Sequence, residues 1–332
     1  MSTEIGFVIL SHNNPLQLRR LVLRLQRTYD NPPIAIHHDA GQSRIRREDF
    51  PADIKFVAPH LTTGWGKVSL VAAALRALEL LYEYAAPKWF VLLSAADYPT
   101  MRADMVLADL ASSGMDALLD YREVPNLSDF SYARRLRISR YSLDVGHLRF
   151  DQPLPMPENP ALGHFVLSSN LAIAWQRYIG LHVWLPIIRR GPRIGRYMVN
   201  LPFENWRAPF APDFKCLYGD QWFTGNRKVA EILLKPTDQH MRLRRHLRFR
   251  YVADECYYQT VLGNTPGLRI SKATRRFVDW SESAGGAHGG SHPKVLGVND
   301  LPAIISSKSH FARKFAPESP LLDEIDKVAV VS

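Results

Sequence analysis

Asp254 and Glu255 stand side by side in the octet Ala253-Asp254-Glu255-Cys256-Tyr257-Tyr258-Gln259-Thr260, and the residues after them read as a helix. At a helix start, Asp254 can cap free backbone N–H groups while Glu255 projects elsewhere. A cap with an acidic first turn is the plain reading. A carboxylate held rigidly beside a hydroxyl is, by contrast, a general base. A third acid, Asp97, closes Leu93-Ser94-Ala95-Ala96-Asp97-Tyr98-Pro99. The small residues there let a ligand approach the backbone, and Asp97 could accept hydrogen bonds from sugar hydroxyls. Asp-Tyr-Pro is equally a turn after a strand.

His37-His38-Asp39 has the residue types of a metal site. Neighbours on a strand point to opposite faces, however, and cannot both reach one ion. Asp39 at a strand end better suits a uracil or ribose contact. No Asp-x-Asp pair of the kind that bridges a nucleotide diphosphate through a divalent ion occurs in the chain. Cations must then neutralise any departing diphosphate. Phe311-Ala312-Arg313-Lys314-Phe315 sets two between aromatic anchors, and His292-Pro293-Lys294 comes just after the glycine-rich stretch 285–290. In a desolvated site such groups stabilise developing negative charge much as a metal would. On a surface they are only solvated charges.

The elements that must carry these residues alternate. Phe7 to Leu10 reads as a buried strand, Pro15 to Arg27 as a helix with Leu16, Leu18, Leu21, Leu23 and Leu25 inward, and Ile34 to His37 as the next strand. Lys55 to Val57 is a brief third strand. A helix over Val68 to Tyr84, with Leu70, Ala74, Leu78 and Leu81 on one face, leads to the apolar strand Trp89 to Leu93. This alternation predicts an α/β domain with a mostly parallel, Rossmann-type sheet and helices on both faces, whose ligands bind beyond the carboxyl ends of the strands. Ser11-His12-Asn13, His37-His38-Asp39 and Ser94 to Pro99 occupy those ends, which points to one shared pocket. From about residue 123 to 218 the chain is rich in proline, tryptophan and arginine, with a turn-laden connector at 151–160, and reads as inserted acceptor-side loops. Gln221 to Leu234 and Asp254 to Leu262 are helical in pattern, and 317–332 is a tail.

The 332 residues are 46% hydrophobic, enough for a sizeable core. Ser11 and His12 interrupt the first apolar run too early for a signal peptide or a membrane span. Two cysteines, Cys216 and Cys256, imply no disulfide framework. A cytoplasmic setting is expected. The formal charge of +10, densest at 189–193, 242–250 and 275–276, favours anionic partners and allows peripheral contact with an anionic inner membrane. No zinc-finger spacing or basic region leading into heptads marks a nucleic-acid binder.

In order along the chain, Gly6 to Asn13, Ile36 to Asp39, Gly64-Trp65-Gly66 before Ser69-Leu70-Val71, Leu93 to Pro99, Gly219-Asp220-Gln221-Trp222-Phe223, Asp254-Glu255 with Thr260, and Phe311 to Phe315 resemble the core-2/I-branching enzymes and peptide xylosyltransferases of glycosyltransferase family 14. The resemblance covers residues 5 to 316, and the common order makes it specific. Ser-Ala-Ala-Asp-Tyr-Pro is closest to the xylosyltransferases.

The resemblance implies a GT-A-like fold and an inverting, metal-independent transfer of xylose or N-acetylglucosamine from a UDP-sugar, without a cofactor. The domain would span 1–316, with a nucleotide-sugar half at 1–122 and an acceptor and catalytic half at 123–316. Glu255 would be the base. Ser11, His12, Asp39, Trp65, Asp97, Tyr98, Lys294, Arg313 and Lys314 would bind the donor, with Asp39 on the uridine, Asp97 on the sugar, and Lys314 and Lys294 on the diphosphate. Asp220, Gln221, Trp222 and Asp254 would shape the acceptor pocket. Asp220 stands where the family has serine. Few cysteines and no amino-terminal apolar segment suggest a bacterial-type member acting on a saccharide, lipid-linked or peptide acceptor in polysaccharide or glycoconjugate synthesis. The rival readings are a non-catalytic nucleotide-sugar or glycan binding protein and a basic protein that binds nucleic acid or membranes.

Overall fold

The computed structural model describes residues 3–124, 136, 139–150, 182–183, 193–204, 208–248, 250, 252–281 and 293–331. Its elements run β1 (Ile5–Ser11), α1 (Pro15–Thr28), β2 (Ile34–His38), β3 (Lys55–Phe56), α2 (Val68–Tyr84), β4 (Trp89–Ser94), β5 (Tyr98–Pro99), α3 (Ala103–Ser112), β6 (Ala117–Leu118), β7 (Arg122–Glu123), β8 (Ser139–Phe150), β9 (His182–Val183) and β10 (Arg193–Glu204). They continue with β11 (Leu217–Tyr218), β12 (Thr224–Asn226), α4 (Arg227–Leu234), α5 (Asp238–Leu247), α6 (Tyr257–Gly263), β13 (Ile270–Ser271), β14 (Arg276–Val278), α7 (Leu301–Ser306), β15 (Phe311–Arg313) and α8 (Pro320–Val331). The connector at 151–160, the glycine-rich stretch 285–290, most of the basic stretch at 189–193 and His292 lie outside the described residues.

Seven strands form the central sheet in the order β13-β6-β12-β4-β1-β2-β3. β1 is parallel to β2 and β4, β2 to β3, and β13 to β6, while β12 runs antiparallel between β4 and β6. This is the mostly parallel, Rossmann-type α/β sheet that the alternation predicts. The chain builds outward from β1 through β2 and β3, then returns by α2 to lay β4 on the other side of β1. The crevice at that reversal, between the ends of β1 and β4, is where such sheets hold ligands. Because strand side chains alternate, both faces are buried. Phe7, Ile9, Val91 and Leu93 join the core under α1, α3 and α8, whereas Val8, Leu10, Phe90 and Leu92 pack under α2, α4, α5 and α6.

Pro15 opens α1, where its missing N–H and fixed φ cost nothing. The buried stripe is Leu18, Leu21, Val22 and Leu25, not the full leucine set expected: Leu16 is 71% exposed and Leu23 half-buried. At about 100° per residue, 16 and 23 fall on the face opposite to 18 and 25. In α2, Ala74, Leu78 and Leu81 are buried as expected, with Leu70 at the margin. The helix expected over Gln221 to Leu234 is shorter. Thr224–Asn226 is strand β12, and α4 starts only where the Asn226 side chain accepts from Val229 N–H at 3.2 Å. A Cβ on Gly225 would lie within 3.0 Å of Phe90 and Val229, so this short strand meets β4 too closely for a side chain. Among the described residues no helix is long and apolar enough to cross a membrane.

The expected tail is instead a packed helix. Leu321, Leu322 and Ile325 of α8 enter the core beside α1, and Arg20 and Arg24 pair with Asp323 and Asp326. Leu322→Ala should destabilise the fold by about 2–5 kcal/mol. Denaturant unfolding checks this, and an unchanged midpoint would return residues 317–332 to the status of a tail.

Candidate active site

The sheet presents three strand ends together. Asp39 N–H donates to the Ser11 carbonyl at 2.9 Å and Ala95 N–H to the Leu10 carbonyl at 3.0 Å. Ser11, at the end of β1, is buried with its Oγ 3.1 Å from His38 Nδ1, and His38 Nε2 donates to the Ser43 carbonyl at 2.7 Å. His37 turns the other way, accepting from Leu61 N–H at 2.9 Å, and burial lowers its pKa to about 4. The two imidazoles therefore serve opposite faces, as alternation requires. His12 is exposed at the strand end, within electrostatic reach of Asp39 and Lys314.

Asp39 is fully buried and its carboxylate serves the protein. It accepts from Thr63 N–H at 2.7 Å, Thr63 Oγ1 at 2.8 Å, Gln42 Nε2 at 2.7 Å and Gly41 N–H at 3.1 Å. Burial alone would raise its pKa, but these donors outweigh that and hold it at about 2. The residue expected to contact uridine thus fixes the loop 61–66 through its carboxylate, which has no surface among the described residues. That loop carries Trp65, 42% exposed, and its Gly66 carbonyl accepts from Ala253 N–H at 3.0 Å.

Through this contact the loop meets the carboxylate pair. α6 begins only at Tyr257, with Cys256 as cap residue, so Asp254 does not cap the helix as expected. It sits in the preceding turn and accepts from its own and the Glu255 backbone N–H groups. Val252, β-branched and buried, holds φ at 60° there, a strained conformation that typically costs about 1–3 kcal/mol and persists only where surroundings enforce it. Glu255 is half-buried, and its carbonyl accepts from Gly219 N–H at 2.9 Å. Gln259 Nε2 donates to the Asp220 carbonyl at 2.6 Å. Asp220, Asp254 and Glu255 thereby form one acidic cluster. Burial, then the charge of Glu255, then that of Asp220 push the Asp254 carboxyl up to about 7. Burial also raises Asp220, opposed by Arg313 and Arg276.

Facing this cluster is a cationic one. Arg313 Nε lies 3.0 Å from Asp97 Oδ1, its Nη1 is 4.0 Å from Asp220, and its guanidinium stacks 4.9 Å over the buried Trp222 ring. Gln221, beside Trp222, is buried with Nε2 lacking a partner among the described residues. Lys314 is half-buried next to Arg313, and Phe315 N–H donates to the Ala96 carbonyl at 3.1 Å, locking this segment to the end of β4. Three expectations change here. Asp97 has no exposed side-chain surface; Ser94 N–H and Arg276 donate to its Oδ2, and its Oδ1 lies 3.0 Å from Arg313 Nε without a hydrogen bond among the described residues, so it stands behind the cations. Tyr98 is 2% exposed, with its hydroxyl donating to Asp326 at 2.9 Å, and belongs to the groove between α1 and α8, whose Arg20 and Arg24 are already matched by carboxylates. Lys294 is held by Asp300 at 2.9 Å and Asp279 at 3.6 Å, although Leu296 N–H reaches the Lys314 carbonyl nearby.

The residues brought together are thus His12, Trp65, Asp220, Gln221, Trp222, Asp254, Glu255, Arg313 and Lys314, with Ser11, Asp39 and Asp97 as supports. Such an arrangement can accept a proton on one side and stabilise an anion on the other. No three His, Cys, Asp or Glu side chains cluster as a metal site among the described residues. Sequence reading noted Arg276 only within the basic stretch 275–276 and not as a site residue, although it opens the apolar run Arg276-Phe277-Val278, and it passed over Thr63, which carries no signal.

A carboxyl raised to about 7 on folding stabilises the fold most below the ordinary carboxylate range, and that contribution is lost as pH rises through 7. Asp254→Asn should therefore raise the melting temperature more at pH 8 than at pH 5; an equal shift at both would contradict the raised pKa. A Cβ on Gly219 would sit 2.2 Å from the Asp120 carbonyl oxygen. Gly219→Ala should cost about 1–3 kcal/mol or more and displace Asp220 from Glu255, read as a lower melting temperature.

The family model of the Core-2/I-Branching enzyme matches residues 5–127 and 188–305, well over half of the chain. The beta-glucuronosyltransferase GlcAT14A of Arabidopsis thaliana is 23% identical over 325 residues, covering 93% of this chain and 60% of that protein. GlcAT14B of the same plant is 22% identical over 263 residues, covering 78% of this chain and 48% of that protein. The chain thus spans about half to three fifths of the length of these curated relatives. The matched segments carry both the strand ends and the carboxylate pair, and the chain belongs to the Core-2/I-Branching enzyme family.

Proposed function

We propose that the chain is an inverting, metal-independent glycosyltransferase that moves a sugar from a UDP-sugar to an acceptor hydroxyl, in polysaccharide or glycoconjugate synthesis. The observation that carries this reading is the facing of an acidic cluster, Asp220, Asp254 and Glu255, by Arg313 and Lys314 across the switch point of a Rossmann-type sheet. Glu255 takes the proton from the acceptor hydroxyl as that oxygen attacks the anomeric carbon. The bond from that carbon to the diphosphate breaks, and its electron pair leaves on the UDP oxygen. Arg313 and Lys314 stabilise that charge, which is the part a divalent ion plays elsewhere. Asp254, largely protonated below pH 7, keeps a second negative charge away from the base. A single displacement of this kind inverts the anomeric centre.

Xylose and N-acetylglucosamine are the donors proposed from the sequence motifs. The names of the two plant relatives add glucuronic acid to the panel. The exposed Trp65 ring, expected on the donor side, supplies an apolar face on which a sugar can lie.

The test is a panel of UDP-sugars in excess EDTA, monitored by UDP release and thermal shift. One donor should give turnover despite the chelator. Glu255→Gln should lower kcat by about 10²–10⁴-fold while leaving the UDP-induced thermal shift intact. Absence of any response to UDP or UDP-sugars overturns the donor assignment and favours a glycan-binding protein. Turnover by Glu255→Gln within a few fold of the native chain overturns the base.

A further inference from the structure

Arg276 is a fully interior charge that the proposed chemistry does not use. Its side chain is 1% exposed on β14, at the edge of a three-stranded sheet ordered β14-β15-β5. Nη2 donates to the Leu92 carbonyl of β4 at 2.6 Å, Nη1 donates to Asp97 Oδ2 at 3.3 Å, and the guanidinium lies 5.6 Å over the Phe311 ring. One side chain thus pins the small sheet to the central strand and fixes the carboxylate that stands between two arginines. On the other side of Asp97 is Arg313, 14% exposed, on the adjacent parallel strand, where Arg276 pairs in register with Phe311.

Burial lowers the pKa of Arg276, with Asp97 and Asp220 acting in the opposite sense. A guanidinium nonetheless stays charged in proteins, so the trio of Asp97 and two arginines carries net positive charge. Only Arg313 has surface through which that charge can act. If Arg276 were apolar, Asp97 would neutralise Arg313 alone, with Ser94 N–H as its remaining hydrogen-bond donor.

We propose that Arg276 is a positioning residue for the transfer reaction: through Asp97 it aims Arg313 across Trp222 toward the diphosphate and keeps that guanidinium from being neutralised. This rests on the UDP-sugar reading and extends it to a residue that does not touch the ligand.

The test is a double-mutant cycle on UDP affinity and on kcat and KM, using Arg276→Met and Arg276→Lys, each with and without Arg313→Met. Lysine keeps the charge but cannot hold Asp97 and the Leu92 carbonyl together, and it decides the question if the methionine variant does not fold. Arg276→Met should weaken UDP binding about tenfold in the native background, with Arg276→Lys intermediate, and either should change it less than about twofold once Arg313 is gone. The same loss with and without Arg313 overturns the proposal, since a general structural defect would act in both backgrounds. Unchanged UDP affinity in a folded Arg276→Met variant overturns it as well. A native protein that binds no UDP overturns the parent reading and this one together, whereas additive losses in a UDP-binding protein overturn this one alone.

Discussion

The rest of the site hangs on a carboxylate with no exposed side-chain surface. Asp97 sits just past the end of β4, and its two oxygens are divided between Arg276 and Ser94 N–H on one side and Arg313 on the other. Taking three charges out of water is costly, and the arrangement survives because each is met by an opposite charge or a carbonyl. Removing one partner of such a group typically costs about 3–5 kcal/mol, so the geometry is effectively fixed. That rigidity is useful because of where the group lies. It joins the central sheet, through Leu92, to the small sheet that carries Arg313 and Lys314. Without it Arg313 would be oriented only by its stack on Trp222 and by the neighbouring Phe315–Ala96 contact.

The opposite wall is built on different physics. Backbone contacts, not ion pairs, hold Asp220, Asp254 and Glu255 together: Gly219 N–H to the Glu255 carbonyl, Gln259 to the Asp220 carbonyl, and Ala253 N–H to the Gly66 carbonyl. Three carboxyls kept this close resist full ionisation, and the interior member takes the penalty. Asp254 is raised to about 7, and Glu255 is the more exposed of the pair. A cation wall set by buried ion pairing and a carboxylate wall set by main-chain hydrogen bonds can therefore differ in protonation while remaining equally rigid.

Much of this was legible in the sequence for a simple reason. Apolar periodicity identifies the strands, and polar residues at the ends of buried strands have few explanations other than a site. The α/β class and the mostly parallel sheet came from that, whereas the carboxylate pair was read at an expected helix start and the cation pair between two phenylalanines. What could not be read was the direction of each side chain. Asp39, Asp97 and Tyr98 occupy motif positions, yet face inward to Thr63, Arg276 and Asp326. Their partners are 24, 179 and 228 residues away, beyond any local pattern. Lys294 looked like a free cation because Asp279 and Asp300, which hold it, are unremarkable in sequence. Residues 317–332 did carry a helix-start signal, Ser319 followed by Pro320 with Asp323 in the first turn, which the reading as a tail did not use.

Buried and exposed motif residues are consequently under different demands. A ligand can meet only what has surface, and among the described residues that is His12, Trp65, Asp220, Glu255, Arg313 and Lys314. Asp39 and Asp97 act one step behind, shaping the loop under Trp65 and the strand under Arg313. Their side chains answer to hydrogen-bond geometry that the fold imposes whatever sugar is bound, so they carry the architecture of the site but little of its specificity. Discrimination among donor sugars or acceptors must arise in the exposed set and in the spacing between the two walls. Asp220 is the residue there whose carboxylate both walls share, 4.0 Å from Arg313 and within the field of Asp254. A serine at that position would leave no carboxyl between Glu255 and Arg313. Burial raises the Asp220 carboxyl while Arg313 and Arg276 oppose that rise, so the two walls act on this one group in opposite senses.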